Sequence, residues 1–334
     1  MKKISILFIG LLLIPSLFFT SCDRGDDPTD SPIISTPKFT LLKDYMVQSN
    51  LDIDQILTNT DGEKFVVGPP ASSDLVDGFL SSYYIMDIRN NTDFLTAHVN
   101  GAKNVAFTNI LTDASNATKP ILIICYTGQT ACYATALLRM YGYPHTQALK
   151  WGMSGWNATF DKWTANCKDL TTADNWTTDA TAAGSFSAPA WSSTTTDGAA
   201  LLKERVEATV AAGFKTASNA DVLANPANYY INNFFSDAHY TGFGHVKGAV
   251  RVSPLTIDLF DGLDPAKEVV TYCYTGQTSA VITAYLNVVG FNAKSLTFGM
   301  NGMSVSNSFW TAGEGVTNHW GFDSKPKDLP TVSN

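Results

Sequence analysis

Apolar residues run along this chain in short blocks closed by polar or glycine-rich breaks. YYIMDI ends around Asp87, and YYINN ends at Asn233. Later in each half come ILII at Ile121–Ile124 and VVTY at Val269–Tyr272. Brief, nearly continuous apolar blocks between turn residues predict buried strands. Behind each second block lies a longer stretch, ACYATALLRMYGY or SAVITAYLNVVGF, in which residues such as Leu137, Leu138 and Tyr141 recur at helical spacing. Gly142 and Gly290 stand where these helices should stop, because glycine takes the left-handed conformation that follows a last turn. Strands alternating with helices predict an α/β fold, a mainly parallel central sheet flanked by helices on both faces.

The whole pattern occurs twice. CYTGQT appears at Cys125–Thr130 and again at Cys273–Thr278, 148 positions later. AHVNGAKNV at 97–105 answers GHVKGAVRV at 244–252, and WGMSG at 151–155 answers FGMNG at 298–302. His98 and His245, Gly152 and Gly299, and Trp163 and Trp310 are each 147 apart. Landmarks in one order at nearly one spacing mark a duplication. Two domains follow, at 39–165 and 200–325. Residues 166–199, rich in Thr, Ser, Ala and Asp, read as an interdomain linker that Trp176 and Trp191 could pack against one domain.

The N-terminus stands apart from the fold. Lys2 and Lys3 precede an apolar run from Ile4 to Phe19, broken only by Ser5, Gly10, Pro15 and Ser16, and then come small residues and Cys22. Residues 1–21 therefore read as an export signal rather than a spanning helix. Thr20-Ser21-Cys22 resembles a bacterial lipobox, from which Phe19 is a departure. The resemblance implies cleavage before Cys22, lipid on its thiol, and anchoring of the protein at the periplasmic or surface face of a cell-envelope membrane. Residues 22–38 are acidic, polar and proline-containing, and read as a solvated tether. No later stretch is long and apolar enough to cross a bilayer.

The remaining composition narrows the chemistry. A net charge of −8 argues against a nucleic-acid partner. Five cysteines occur, at 22, 125, 132, 167 and 273, and no C-x-x-C pair is among them, so no zinc site is expected. Cys132 and Cys167 read as buried free thiols, with a bridge between them left open by the export signal.

The ordered set of motifs resembles the rhodanese domain. In the first half the set is Asp87-Ile88-Arg89, His98-Val99-Asn100-Gly101-Ala102, the Cys125–Thr130 loop, and Gly152–Gly155 with Trp156. The second half matches at His245–Ala249, Cys273–Thr278 and Gly299–Gly302, but has Asn233-Phe234-Phe235 for the Asp-x-Arg and Met303 for the tryptophan. The resemblance covers nearly all of both domains. It implies a sulfurtransferase in which Cys125 or Cys273 takes sulfane sulfur from a small anionic donor as a persulfide and passes it to a thiol or cyanide acceptor. It implies no metal and no organic cofactor.

The residue types suit that chemistry. A loop between strand end and helix start turns backbone N–H groups toward the sulfur, and the helix N-terminus adds positive potential, so the thiolate should be favoured. Tyr126, Thr127, Gly128, Gln129 and Thr130, with Tyr274, Thr275, Gly276, Gln277 and Thr278, would form the anion and persulfide cradle. Gly128 and Gly276 allow the bend, and Thr130 and Thr278 could cap the helix or donate a hydroxyl. The loops carry no cation, which leaves thiosulfate, mercaptopyruvate and a persulfide open as donors. The sixth residue after each cysteine is Ala131 or Ser279 rather than arginine, which argues against a cysteine phosphatase. His98 and His245 read as structural, and Asp87 with Arg89 as a local pair. Two alternatives stay open: a non-catalytic envelope binding module for anions, thiols or a protein partner, and a thiol redox protein using Cys132. Whether Cys125, Cys273 or both turn over is also open.

Overall fold

The computed structural model describes residues 36–311, 313–322 and 324–333. The leader, Cys22 and the tether up to residue 35 lie outside them. The first half runs α1 (Lys38–Gln48), α2 (Ile53–Leu57), β1 (Val66–Val67), α3 (Val76–Ser81), β2 (Tyr84–Asp87), α4 (Asn91–Thr96), β3 (Lys103–Asn104), α5 (Ile110–Ala114), β4 (Ile121–Ile124), α6 (Gln129–Met140), β5 (Gln147–Leu149) and α7 (Gly152–Trp156). After β6 (Trp176–Thr177) come α8 (Gly198–Ala212), β7 (Thr216–Ala217), α9 (Asn219–Ala224), β8 (Tyr229–Asn233), α10 (Asp237–Gly242), β9 (His245–Val246), β10 (Glu268–Tyr272), α11 (Gln277–Val288) and β11 (Ala293–Leu296).

Each half builds one parallel sheet, in the order β1-β5-β4-β2-β3 and β7-β11-β10-β8. The pleat sends alternate residues to opposite faces. Ile121 and Ile123 of β4 join a core with α6, while Leu122 and Ile124 join another with Val76 and Leu80 of α3 and Met153 and Trp156 of α7. In β10, Val269 goes to the α11 side and Val270 to the side of α9 and α10. Helices thus cover both faces, which explains why the strands read as unbroken apolar blocks. Gly142 and Gly290 follow their helices at φ of +110° and +104°.

The loop cysteines each sit between the strand and the helix that form the centre of their half. Those helices, α6 and α11, pack on one another. Leu137, Leu138, Ile282 and Leu286 are fully buried in one core that runs through both halves, and each such side chain contributes about 1.5–3 kcal/mol. The chain ends also cross over. Leu329 N–H donates to Trp156 O at 2.9 Å and Trp156 Nε1 donates to Pro330 O at 2.9 Å, so the C-terminal segment closes the first half. Residues 166–199 lie against the second half: β6 pairs antiparallel with β9, Trp176 Nε1 donates to Phe243 O at 2.9 Å, and Trp191 stacks near Arg205 at 5.0 Å.

Candidate active site

Two glycines shape each cysteine loop. Gly128 and Gly276 start the helices at φ of +84° and +75°, in the left-handed region. Gly152 and Gly299 come from the turn after the next strand and press on the cysteine backbone. A Cβ at Gly152 would lie 2.4 Å from Cys125 O, and one at Gly299 2.2 Å from Cys273 O. The neighbouring Met153 and Met300 N–H groups donate to those same oxygens at 2.9 and 3.0 Å. The WGMSG and FGMNG turns therefore brace the loops, and only glycine permits the approach.

The surroundings of the two thiols differ. Cys125 Sγ accepts from Gly128 N–H at 3.2 Å and Ala131 N–H at 3.3 Å. The amide cradle expected from the sequence is present, but its net effect is the reverse of the one expected. Burial pushes the Cys125 thiol up, Asp87 adds to the rise, and the N–H groups of Ala131, Thr127 and Gly128 offset only part of it. The side chain is 3% exposed, and desolvation of a thiolate outweighs a few dipoles at such a position.

Cys273 Sγ accepts from Ser279 N–H at 3.4 Å. It also meets two hydroxyls, Ser279 Oγ at 3.7 Å and Thr275 Oγ1 at 3.9 Å. Ser279 Oγ is held in turn by Ser295 Oγ at 2.9 Å. Cys273, Tyr274 and Thr278 line a cavity of about 550 Å³ together with Arg251, and Ile53 and Leu57 of α2 supply a wall from the first half. Cys125 does not line that cavity.

The other loop residues divide by role. Tyr126 OH donates to Asp93, and burial with that carboxylate pushes its pKa up to about 12. Tyr274 OH pairs with His239 Nδ1, and its ring stacks on Phe235 at 4.5 Å. Gln129 and Gln277, expected in the cradle, direct their side chains across the seam between the halves: Gln129 Oε1 accepts Phe298 N–H at 2.8 Å, and Gln277 Nε2 donates to Thr127 O at 3.0 Å. Thr130 and Thr278 do not cap their helices. The hydroxyls beside Cys273 are those of Thr275 and Ser279, because the helix places the sixth residue rather than the fifth over the sulfur.

Asp87 and Arg89 form a fork with no exposed side-chain surface, at 2.7 Å between Asp87 Oδ2 and Arg89 Nη2, and Arg89 Nη2 also donates to Ala97 O at 2.8 Å. His98 Nδ1 bonds Phe94 O at 2.9 Å, and His245 bonds Tyr240 O and Asp179 O, each at 3.0 Å, so both histidines hold turns. Cys132 is fully buried, Cys167 is half-buried, and the four described cysteines are free. Among the described residues no cluster of His, Cys, Asp or Glu could hold a metal. Sequence reasoning passed over Ser279, Ser295, Arg251 and α2 as site components. For Ser279 and Arg251 a signal existed, since each occupies a position where the aligned halves differ (Ala131 and Asn104).

The rhodanese-like domain family model matches residues 73–159 and 234–305, one range in each half. The thiosulfate sulfurtransferase GlpE of Pseudomonas fluorescens is 28% identical over 78 residues, which is 23% of this chain and 72% of that protein. A thiosulfate sulfurtransferase structure from Pseudomonas aeruginosa aligns at 15% identity and a TM-score of 0.27, over 78% of this chain and 45% of that one, so this chain spans less than half its length. SseA from Escherichia coli, described as a 3-mercaptopyruvate sulfotransferase of rhodanese fold, aligns at 15% identity and a TM-score of 0.27, over 70% of this chain and 98% of that one.

Proposed function

For a chain built of two rhodanese-like domains in tandem, we propose that it is a sulfurtransferase whose turnover runs at Cys273. The observation that carries this is the meeting of Cys273 with a cavity of about 550 Å³. With thiosulfate, Cys273 sulfur attacks the sulfane sulfur, the S–S bond of the donor breaks, and sulfite leaves with the electron pair and takes up the thiol proton. The persulfide then sits under Ser279 N–H and the Ser279 and Thr275 hydroxyls, which suit an anionic outer sulfur. A thiol or cyanide attacks that outer sulfur, and Cys273 thiolate leaves. The first half supplies the α2 wall and the seam, and Cys125 holds its loop in shape without turning over.

Intact-mass measurement after incubation with thiosulfate or mercaptopyruvate tests this. Wild type and Cys125→Ser should each gain one sulfur atom, and Cys273→Ser none. Sulfur on Cys125 with none on Cys273 would reverse the assignment, and no sulfur on either from any donor would leave a binding module.

The same reading holds the protein at an envelope membrane through lipid on Cys22, supported by the charged, apolar and small-residue order of positions 2–22. Metabolic labelling with a fatty acid should mark wild type and fail to mark Cys22→Ser.

A further inference from the structure

Arg251 brings a charge to the second half at a position where the first half has none. In the alignment of the halves it answers Asn104. Asn104 Nδ2 donates to the carbonyl of Arg89 at 2.9 Å, and Arg251 Nε donates to the carbonyl of Phe235, the residue matching Arg89, at 2.6 Å. Both halves make this bond to the strand end, and in the first a neutral amide suffices for it and for a second one to Asp87 O at 3.0 Å. The guanidinium is therefore surplus to holding the turn.

Its position gives the surplus a use. Arg251 lines the same cavity as Cys273, and its side chain is 20% exposed. Nη1 lies 2.6 Å from Asp237, a carboxylate on a side chain that is 89% exposed. Asp237 thus holds one edge of the fork from the solvent side, and Nη2 has no protein partner among the described residues. The other charged residue lining the cavity is Asp54, which is exposed. Arg89, the first-half residue matching Phe235, has its side chain fully buried against Asp87, and its unpartnered Nη1 is enclosed rather than lining the Cys273 cavity.

We propose that Arg251 is the specificity residue of the Cys273 pocket, binding through its guanidinium the anionic carboxylate or sulfonate-type oxygens that flank the donor's transferable sulfur. A planar fork held at two of its nitrogens is preorganised for such oxygens. The identity of the anion as a sulfur donor rests on the function proposed above; the anion site itself does not.

The test uses the Cys125→Ser, Cys273→Ser double variant, which can bind donors without consuming them. Calorimetric titration with thiosulfate and with mercaptopyruvate should give saturable binding to at least one, weakened about tenfold or more by Arg251→Asn, the loss expected for one charge-assisted hydrogen bond. Arg251→Asn repeats the residue and the carbonyl bond of the first half, and Arg251→Gln serves if it does not fold. In the cysteine-intact protein the same change should raise KM for the preferred anion with little effect on kcat, and should leave KM unchanged for an alkyl persulfide that carries no carboxylate or sulfonate. Equal affinity in the arginine variants, or no binding of either anion, overturns the inference. Arg251-dependent binding with no sulfur ever reaching Cys273 would preserve the anion site and sink the sulfurtransferase reading.

Discussion

Gln129 of the first half accepts the backbone N–H of Phe298 of the second at 2.8 Å, and Gln277 answers from the second half by donating to Thr127 O at 3.0 Å. The glycine of each loop makes room for the glutamine of the other: a Cβ at Gly128 would lie 2.5 Å from Gln277 Nε2, and one at Gly276 2.4 Å from Gln129 Oε1. The repeated hexapeptide is thus a reciprocal clasp as well as a cysteine loop. Both glutamines are buried, so Gln129→Ala leaves the Phe298 N–H without a partner. The expected cost is about 1–3 kcal/mol, read from urea unfolding, and the double variant should cost less than the sum because the bonds share one seam. A loss below about 0.5 kcal/mol for Gln129→Ala would mean that water replaces the clasp.

The fork of Asp87 and Arg89 is replaced in the second half by Asn233 and Phe235, which keep one of its bonds: Arg89 N–H donates to Asp87 Oδ1 at 3.0 Å, and Phe235 N–H donates to Asn233 Oδ1 at 2.9 Å. Asp87→Asn alone strands a buried guanidinium and should destabilise by about 3–5 kcal/mol. Asp87→Asn with Arg89→Phe copies the second half and should recover much of that loss, measured by thermal or urea unfolding. A double variant as unstable as the single one would show that the first half depends on the charge itself.

Much of this architecture was legible because the duplication supplied its own alignment. ILII and VVTY are β4 and the body of β10, and the helices after CYTGQT begin at the glutamines. Buried parallel strands leave an apolar signature along one short block, which a reader of the sequence can see. The roles of Gln129 and Gln277 were not legible, because a polar residue in a loop reads the same whether it faces a ligand or the partner domain. Nor was the α2 wall, since Ile53 and Leu57 are more than 200 positions before Cys273. The thiol environments were hidden for a third reason: both cysteines are almost fully buried, and the difference comes from the neighbours of identical loops, Ser279 against Ala131 and Asn233 against Asp87.

The upward push on Cys125 has a direct kinetic reading. Alkylation by iodoacetamide follows the thiolate fraction. The folded thiol holds its proton beyond the ordinary cysteine range, so Cys125 labelling should keep rising with pH beyond the point at which an unperturbed cysteine levels off. Peptide-resolved mass spectrometry of native protein at stepped pH measures this, with urea-unfolded protein as the reference that levels off near 8.5. A plateau near pH 7 in the native protein would show that the amide cradle prevails over burial.

Asp52 ties the first half to the wall of the Cys273 cavity. Its carboxylate caps α2 at Ile53 N–H, 2.6 Å away, and accepts the N–H of Ile257 at 3.0 Å, next to the cavity-lining Leu255 and Thr256. Asp52→Ala should therefore cost about 1–3 kcal/mol through the lost cap and the unpaired Ile257 N–H. By loosening α2 it should also speed alkylation of Cys273 while leaving Cys125 unchanged. The pH dependence has a defined sign. Burial raises the Asp52 carboxyl above its ordinary value of 3.8, despite the bonds from Ile53 and Ile257. The folded state thus keeps a proton that the unfolded chain has already released. The contribution of Asp52 is greatest below the unfolded value and declines as pH rises through the folded one. Asp52→Asn keeps the acceptor oxygen and cannot ionise, so its stability relative to wild type should improve as pH climbs through that window and stay constant above it. Urea titrations from pH 3 to 7 on both proteins measure the difference, and a difference that runs the other way would mean that the N–H groups around Asp52 outweigh its burial.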